Sequence, residues 1–135
     1  MTIGIRFAAM LLTAIVPACA AAGAMDECDK APDREATAKC LAALDGDTLA
    51  DLKKAETAAG KAAREVEVAT KHPGAYTLFA SSSRTFALYQ QAQCDYVRAM
   101  QPDATAKSTG VASDAEIARL ACRIDLARER IEILK

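Results

Sequence analysis

The stretch SDAEIARLACRIDLARERIEIL, residues 113–134, has the clearest pattern in the chain. Ile117, Leu120, Ile124, Ala127, Ile131 and Leu134 recur in alternating steps of three and four. Residues at that spacing share one helix face, so the stretch predicts a helix that buries a narrow seam against neighbouring helices. Ser113 or Asp114 supplies the N-cap, and Glu116 stands where a capping box places its acid. Arg119, Arg123, Arg128 and Arg130 lie off the seam, and the run Arg123 to Arg130 predicts a solvated face.

Working upstream, Pro102 to Ser113 reads as a loop of Pro, Asp, Thr, Lys, Ser and Gly. A long helix is expected over Tyr76 to Met100, with Phe79, Phe86, Tyr89, Gln93 and Val97 near one stripe. His72-Pro73-Gly74 separates it from an earlier helix, because proline disfavours helical geometry in the residue before it. That earlier helix runs to about Lys71 and carries Leu49, Leu52, Ala59, Ala63 and Val66 on one face. Gly60 within it costs roughly 1 kcal/mol relative to alanine, and marks a place where another helix can come close. Pro32, Asp33 and Glu35 begin a shorter helix, since proline suits the first turn and acids complement the dipole there. Asp45-Gly46-Asp47-Thr48 is expected to interrupt it, with Gly46 as C-terminal cap and Asp47 or Thr48 as a fresh N-cap. The fold expected is all-α: an antiparallel bundle of three main helices plus a short N-terminal helix.

Met1 to Ala24 has the parts of a secretory leader. Arg6 precedes an apolar run from Phe7 to Val16, Pro17 ends it, and small residues offer cleavage near residues 20–24. The run is shorter than the ~20 apolar residues of a membrane span, and no other stretch approaches that length. Val16-Pro17-Ala18-Cys19 partly matches a lipobox, so lipidation of Cys19 with cleavage before it is the alternative route. Either route leaves one domain, residues 25–135, and four cysteines: Cys28, Cys40, Cys94 and Cys122. An even set in an exported chain predicts disulfides and a periplasmic or secreted bacterial location. Cys94 and Cys122 both fall roughly 10–12 Å from the loop joining the last two helices, which favours Cys94–Cys122 and leaves Cys28–Cys40. Cys40–Cys94 with Cys28–Cys122 is the competing arrangement, and the sequence leaves it open.

From Met25 onward there are 16 basic and 18 acidic residues, with no basic stripe, which argues against nucleic acid as a partner. The cysteine spacings hold no CxxC element, and the one histidine, His72, is distant from them, so neither a metal nor a cofactor is expected. With that single histidine there is no serine or cysteine triad, and the chain does not read as an enzyme. His72 suits a helix C-terminus; Glu65 and Glu67, two apart, do not share a face. What remains is a binding or structural protein.

The order of these residues resembles the LprI-type lysozyme-inhibitor family. Its members open with Cys-Asp-x-Ala, a glutamate and a second cysteine; here stand Cys28-Asp29-Lys30-Ala31, Glu35 and Cys40. A leucine-rich helix follows, as at Leu49 to Leu52. The central aromatic, Tyr-Arg-Asp and third cysteine become Phe86, Tyr89-Gln90-Gln91 and Cys94. The final cysteine, Thr, Arg and Leu become Cys122, Ala127, Arg130 and Leu134. The departures are Phe for Trp, Gln90-Gln91 for Arg-Asp, and Ala127 for Thr. The resemblance implies a protein partner, lysozyme, blocked at its cleft. A plug for two catalytic carboxylates needs a projecting cation or hydroxyl, which makes Lys107 and Ser108 candidate contacts, with Arg130 as the family-matched arginine. The alternative is a non-catalytic interaction protein of the bacterial envelope with no lysozyme role.

Overall fold

A computed structural model describes residues 23–102 and 112–135. It contains four helices: α1 (Ala24–Glu27), α2 (Arg34–Thr70), α3 (Ala75–Ala99) and α4 (Asp114–Ile133). Asp33 caps α2, its side chain accepting from Ala36 N at 2.8 Å. Ser113 caps α4 in the same way, accepting from Glu116 N at 3.2 Å. The Glu116 carboxylate turns outward to Arg119, at 3.1 Å.

The expected break at Asp45-Gly46-Asp47-Thr48 is absent. α2 runs through it as one helix of 37 residues, about 55 Å long. The short first helix is therefore α1, and the segment from Arg34 to Asp45 is the opening of α2. Local propensity at Gly46 loses to packing on either side of it. Leu41, Thr48 and Leu52 are all buried, and their spacing keeps them on one face. Asp45 also reaches Arg123 of α4 at 3.2 Å. A single internal glycine costs about 1 kcal/mol, less than the roughly 1.5–3 kcal/mol of one fully buried leucine.

α2 does end where expected. Lys71 takes the left-handed conformation at φ 56°, and Gly74 follows at φ 119°. Glu67 then closes the turn, its Oε1 accepting from Gly74 N at 2.8 Å and from Tyr76 N at 2.9 Å. These two donors, Tyr76 first, hold the Glu67 carboxyl below its ordinary range.

α2 and α4 run parallel, with α3 antiparallel to both. Arg34 meets Asp114 at one end at 2.9 Å, and Asp95 of α3 meets Arg119 at 3.2 Å. Ser83 lies beside Arg130, which puts the end of α4 level with about Ala80. Beyond that point α2 and α3 continue as a two-helix hairpin. There Gly60 is buried, and a Cβ on it would stand 3.0 Å from the Phe79 ring. The close approach expected at Gly60 is thus made by α3.

The main core lies at the other end, where Ala24, Cys28, Leu41, Ile117, Ala121 and Ile124 pack together. Ala24, assigned by the sequence reading to the leader, is fully buried. Its N–H donates to Asp125 Oδ1 at 2.9 Å, so the packed unit includes it. The rest of the expected leader, and Cys19 with it, lies outside the described residues. No helix among the described residues is long and apolar enough to cross a membrane.

Candidate functional site

α4 is the central element, flanked by α2, α3 and α1. Its buried surface is accordingly wider than the narrow seam. Ile117, Ile124 and Ala127 are buried, but so are Ala115, Ala121 and Arg130, which lie off it. Small alanines there let three helices close on one.

This corrects the reading of its arginines as a solvated face. Arg119 donates from Nε to Asp95 Oδ1 of α3 at 3.2 Å. Arg123 pairs with Asp45 of α2 at 3.2 Å. Arg128 forks onto Glu27 of α1, with the second arm at 3.2 Å. That hydrogen bond lowers the Glu27 pKa and raises that of Arg128. Each arginine thus clasps a different helix. Pairs this exposed contribute on the order of 1 kcal/mol or less each, so they fix register more than stability.

Arg130 is 9% exposed. Its guanidinium carbon stands 5.5 Å from the Phe86 ring centroid, and Nη2 donates to Ser83 Oγ at 3.5 Å. Its Nε is buried with no hydrogen-bond partner among the described residues. A head so placed holds α3 to α4 and does not project toward another molecule. Lys107 and Ser108 lie outside the described residues.

The cysteines bond as Cys28–Cys40, with Cα atoms 5.9 Å apart, and Cys94–Cys122, at 5.6 Å. The Cys40–Cys94 arrangement is not formed. Between the second bond and the arginine clasps lies a shallow groove of about 190 Å³, lined by Gln90, Gln91, Asp95, Arg119 and Arg123 among others. Gln90 donates from Nε2 to the Arg123 carbonyl at 2.8 Å, tying α3 to α4. The first residue of the substituted pair therefore acts as an internal clasp, while Gln91 is exposed. With Arg119 and Arg123 both neutralised by aspartates, the groove offers no free cation among its described residues.

A second groove of about 370 Å³ opens on the hairpin beyond α4, between Lys61, Arg64, Tyr76 and Phe79. Arg64 stacks on Tyr76 at 4.0 Å from its centroid. His72 is exposed in the turn between α2 and α3. Among the described residues no cluster of His, Cys, Asp and Glu could hold a metal ion. Glu67, set aside in the sequence for lacking a same-face acid, works instead on the turn; a glutamate seven residues before Gly74 was the available signal.

Exposed large apolar side chains gather on the outer face of α3: Leu78, Leu88, Tyr89, Tyr96 and Met100. Tyr89, expected near the buried stripe, is among them. On the helix it stands about 100° from Gln90, at the border of the face that carries Phe86, Gln90 and Cys94.

A family model described as lysozyme inhibitor LprI matches residues 28–134. No curated protein and no solved structure matches the chain.

Proposed function

Because this chain belongs to the LprI lysozyme-inhibitor family, we propose that it is an exported protein of the bacterial envelope that inhibits lysozyme by occupying its active-site cleft. The carrying observation is the extent of the match: residues 28–134 take in the three long helices and the four disulfide-bonded cysteines. A lysozyme cleft works through two carboxylates. A rigid body that brings a cation or hydroxyl to them blocks the substrate without chemistry of its own. Lys107 and Ser108, in the connection between α3 and α4, have that chemistry. Cys94–Cys122 braces the two helices from which this connection springs. Arg130 supports the same helices from inside.

The test is a titration of purified mature protein against lysozymes of different classes, recording activity and direct binding. Binding through charge weakens as salt rises. Lys107→Ala lowers affinity and leaves the melting temperature nearly unchanged. Arg130→Ala lowers the melting temperature, by loss of about 1–2 kcal/mol of stacking and stem packing. If the wild-type protein at roughly tens of micromolar leaves every lysozyme fully active, the inhibitor reading fails and an envelope-interaction role replaces it.

A further inference from the structure

α3 has an unusual outer face. Leu78 is 74% exposed, Leu88 70%, Tyr89 54%, Tyr96 60% and Met100 65%. Thr85 and Ala92 fill the same face between them. From Thr85 to Val97 the helix carries a single charged residue, Asp95. Isolated exposed leucines need no explanation, but a continuous uncharged stripe of Leu, Tyr and Met marks a protein-docking surface.

The two charges that border the stripe identify what docks there. Arg84, Leu88, Gln91 and Asp95 are spaced by four, three and four, so they form one edge of the face. Arg84 and Asp95 are both exposed. They have opposite sign and stand equally far from the Tyr89–Gln90 peptide. A two-fold axis opposite that peptide lays two α3 helices antiparallel and brings Arg84 of one copy level with Asp95 of the other, twice by symmetry. Because the axis runs perpendicular to the plane of the helix pair, residues on one edge stay on that edge, so the charges meet across the contact. Leu88, Thr85 and Ala92 then form its centre, and the small Thr85 and Ala92 side chains allow close approach.

We propose that the outer face of α3 is a self-association surface, and that this protein forms an antiparallel, two-fold symmetric dimer through it. The five large side chains expose roughly 600–700 Å² per copy, and a contact between two helices covers only part of that, below the roughly 800 Å² per partner of a standard stable interface. The proposed dimer is in the micromolar range. Asp95 keeps its intrachain bond to Arg119 through Oδ1, and in the dimer its second carboxylate oxygen would pair with Arg84 of the other copy.

Sedimentation equilibrium of the full mature protein tests this, with circular dichroism and melting to confirm folding of each variant. The wild type should pass from monomer to dimer with a dissociation constant between roughly 1 and 100 µM. Leu88→Glu should abolish the dimer and leave the melting temperature unchanged. Arg84→Glu alone and Asp95→Arg alone should each weaken self-association at least tenfold, since both place like charges opposite each other. An equimolar mixture of the Arg84→Glu chain and the Asp95→Arg chain should restore dimers, because in the mixed dimer both contacts are again attractive. A wild type that is monomeric at roughly 1 mM overturns the proposal and leaves the stripe to a different protein. So does a dimer that Leu88→Glu leaves intact, or a mixture that associates no better than its two components.

Discussion

Two glycines inside α2 have the same local cost and opposite surroundings. Nothing lies within 4 Å of a Cβ built on Gly46, and it is exposed. Gly60 is buried, with the Phe79 ring 3.0 Å from such a Cβ. Gly46→Ala should therefore stabilise the protein by about 0.5–1 kcal/mol, through helix propensity and a less flexible unfolded chain. At Gly60 the same gain is opposed by displacement of a half-buried ring, so Gly60→Ala should be close to neutral. Gly60→Leu should cost about 1–3 kcal/mol by overpacking the α2–α3 contact. Denaturant titration with unchanged slope checks all three; a Gly46→Ala variant less stable than wild type would contradict the uninterrupted helix. Turn chemistry at Gly46 is visible in the sequence, but the pairing of Asp45 with Arg123, nearly eighty residues away, is not. Gly60 was legible because a glycine within an alanine-rich helix has few other uses.

Among elements, α4 was located correctly by its periodicity and underestimated in breadth. A three-four alternation reveals which side chains must be buried. It does not reveal that alanines on other faces, Ala115 and Ala121, are covered too. Nor can charge at Arg119, Arg123 and Arg128 distinguish a solvated face from clasps, since the partners are supplied by α3, α2 and α1. The α2–α3 turn carries a testable consequence of its own. The Glu67 pKa is depressed in the folded state by the Tyr76 and Gly74 N–H groups. A depressed carboxyl contributes stability above its unfolded value, about 4.3, and loses that contribution as pH falls through the lower folded value. Hydrogen exchange at Gly74 and Tyr76 should accelerate below about pH 4 beyond the intrinsic trend. Glu67→Gln should remove this acid dependence while keeping an acceptor in place. If the two amides show the same pH profile in both proteins, Glu67 does not close the turn.

For the molecule as a whole, the two disulfides divide the work unequally. Cys94–Cys122 closes 28 residues and joins two long helices, whereas Cys28–Cys40 closes 12 and secures α1. In the chain-entropy picture these loops correspond to about 3.5 and about 3 kcal/mol. The magnitudes are similar, but the structural consequences differ. Residues 23–31 are held by few other ties: burial of Ala24 and Cys28, the Ala24–Asp125 hydrogen bond and the Glu27–Arg128 fork. α2, α3 and α4 also hold one another through direct contacts of their own. Replacing Cys28 and Cys40 together by alanine should release residues 23–31 to fast hydrogen exchange while the three long helices stay protected. Replacing Cys94 and Cys122 together by alanine should instead lower the protection of all three long helices, with a single cooperative transition at reduced denaturant. Alanine is the right replacement because Cys28 and Cys94 are almost fully buried, and a serine hydroxyl there would add the cost of an unpaired polar group. Should the Cys28/Cys40 double variant keep residues 23–31 as protected as in the wild type, packing and the Arg128 clasp hold α1 unaided, and the bond adds only to global stability.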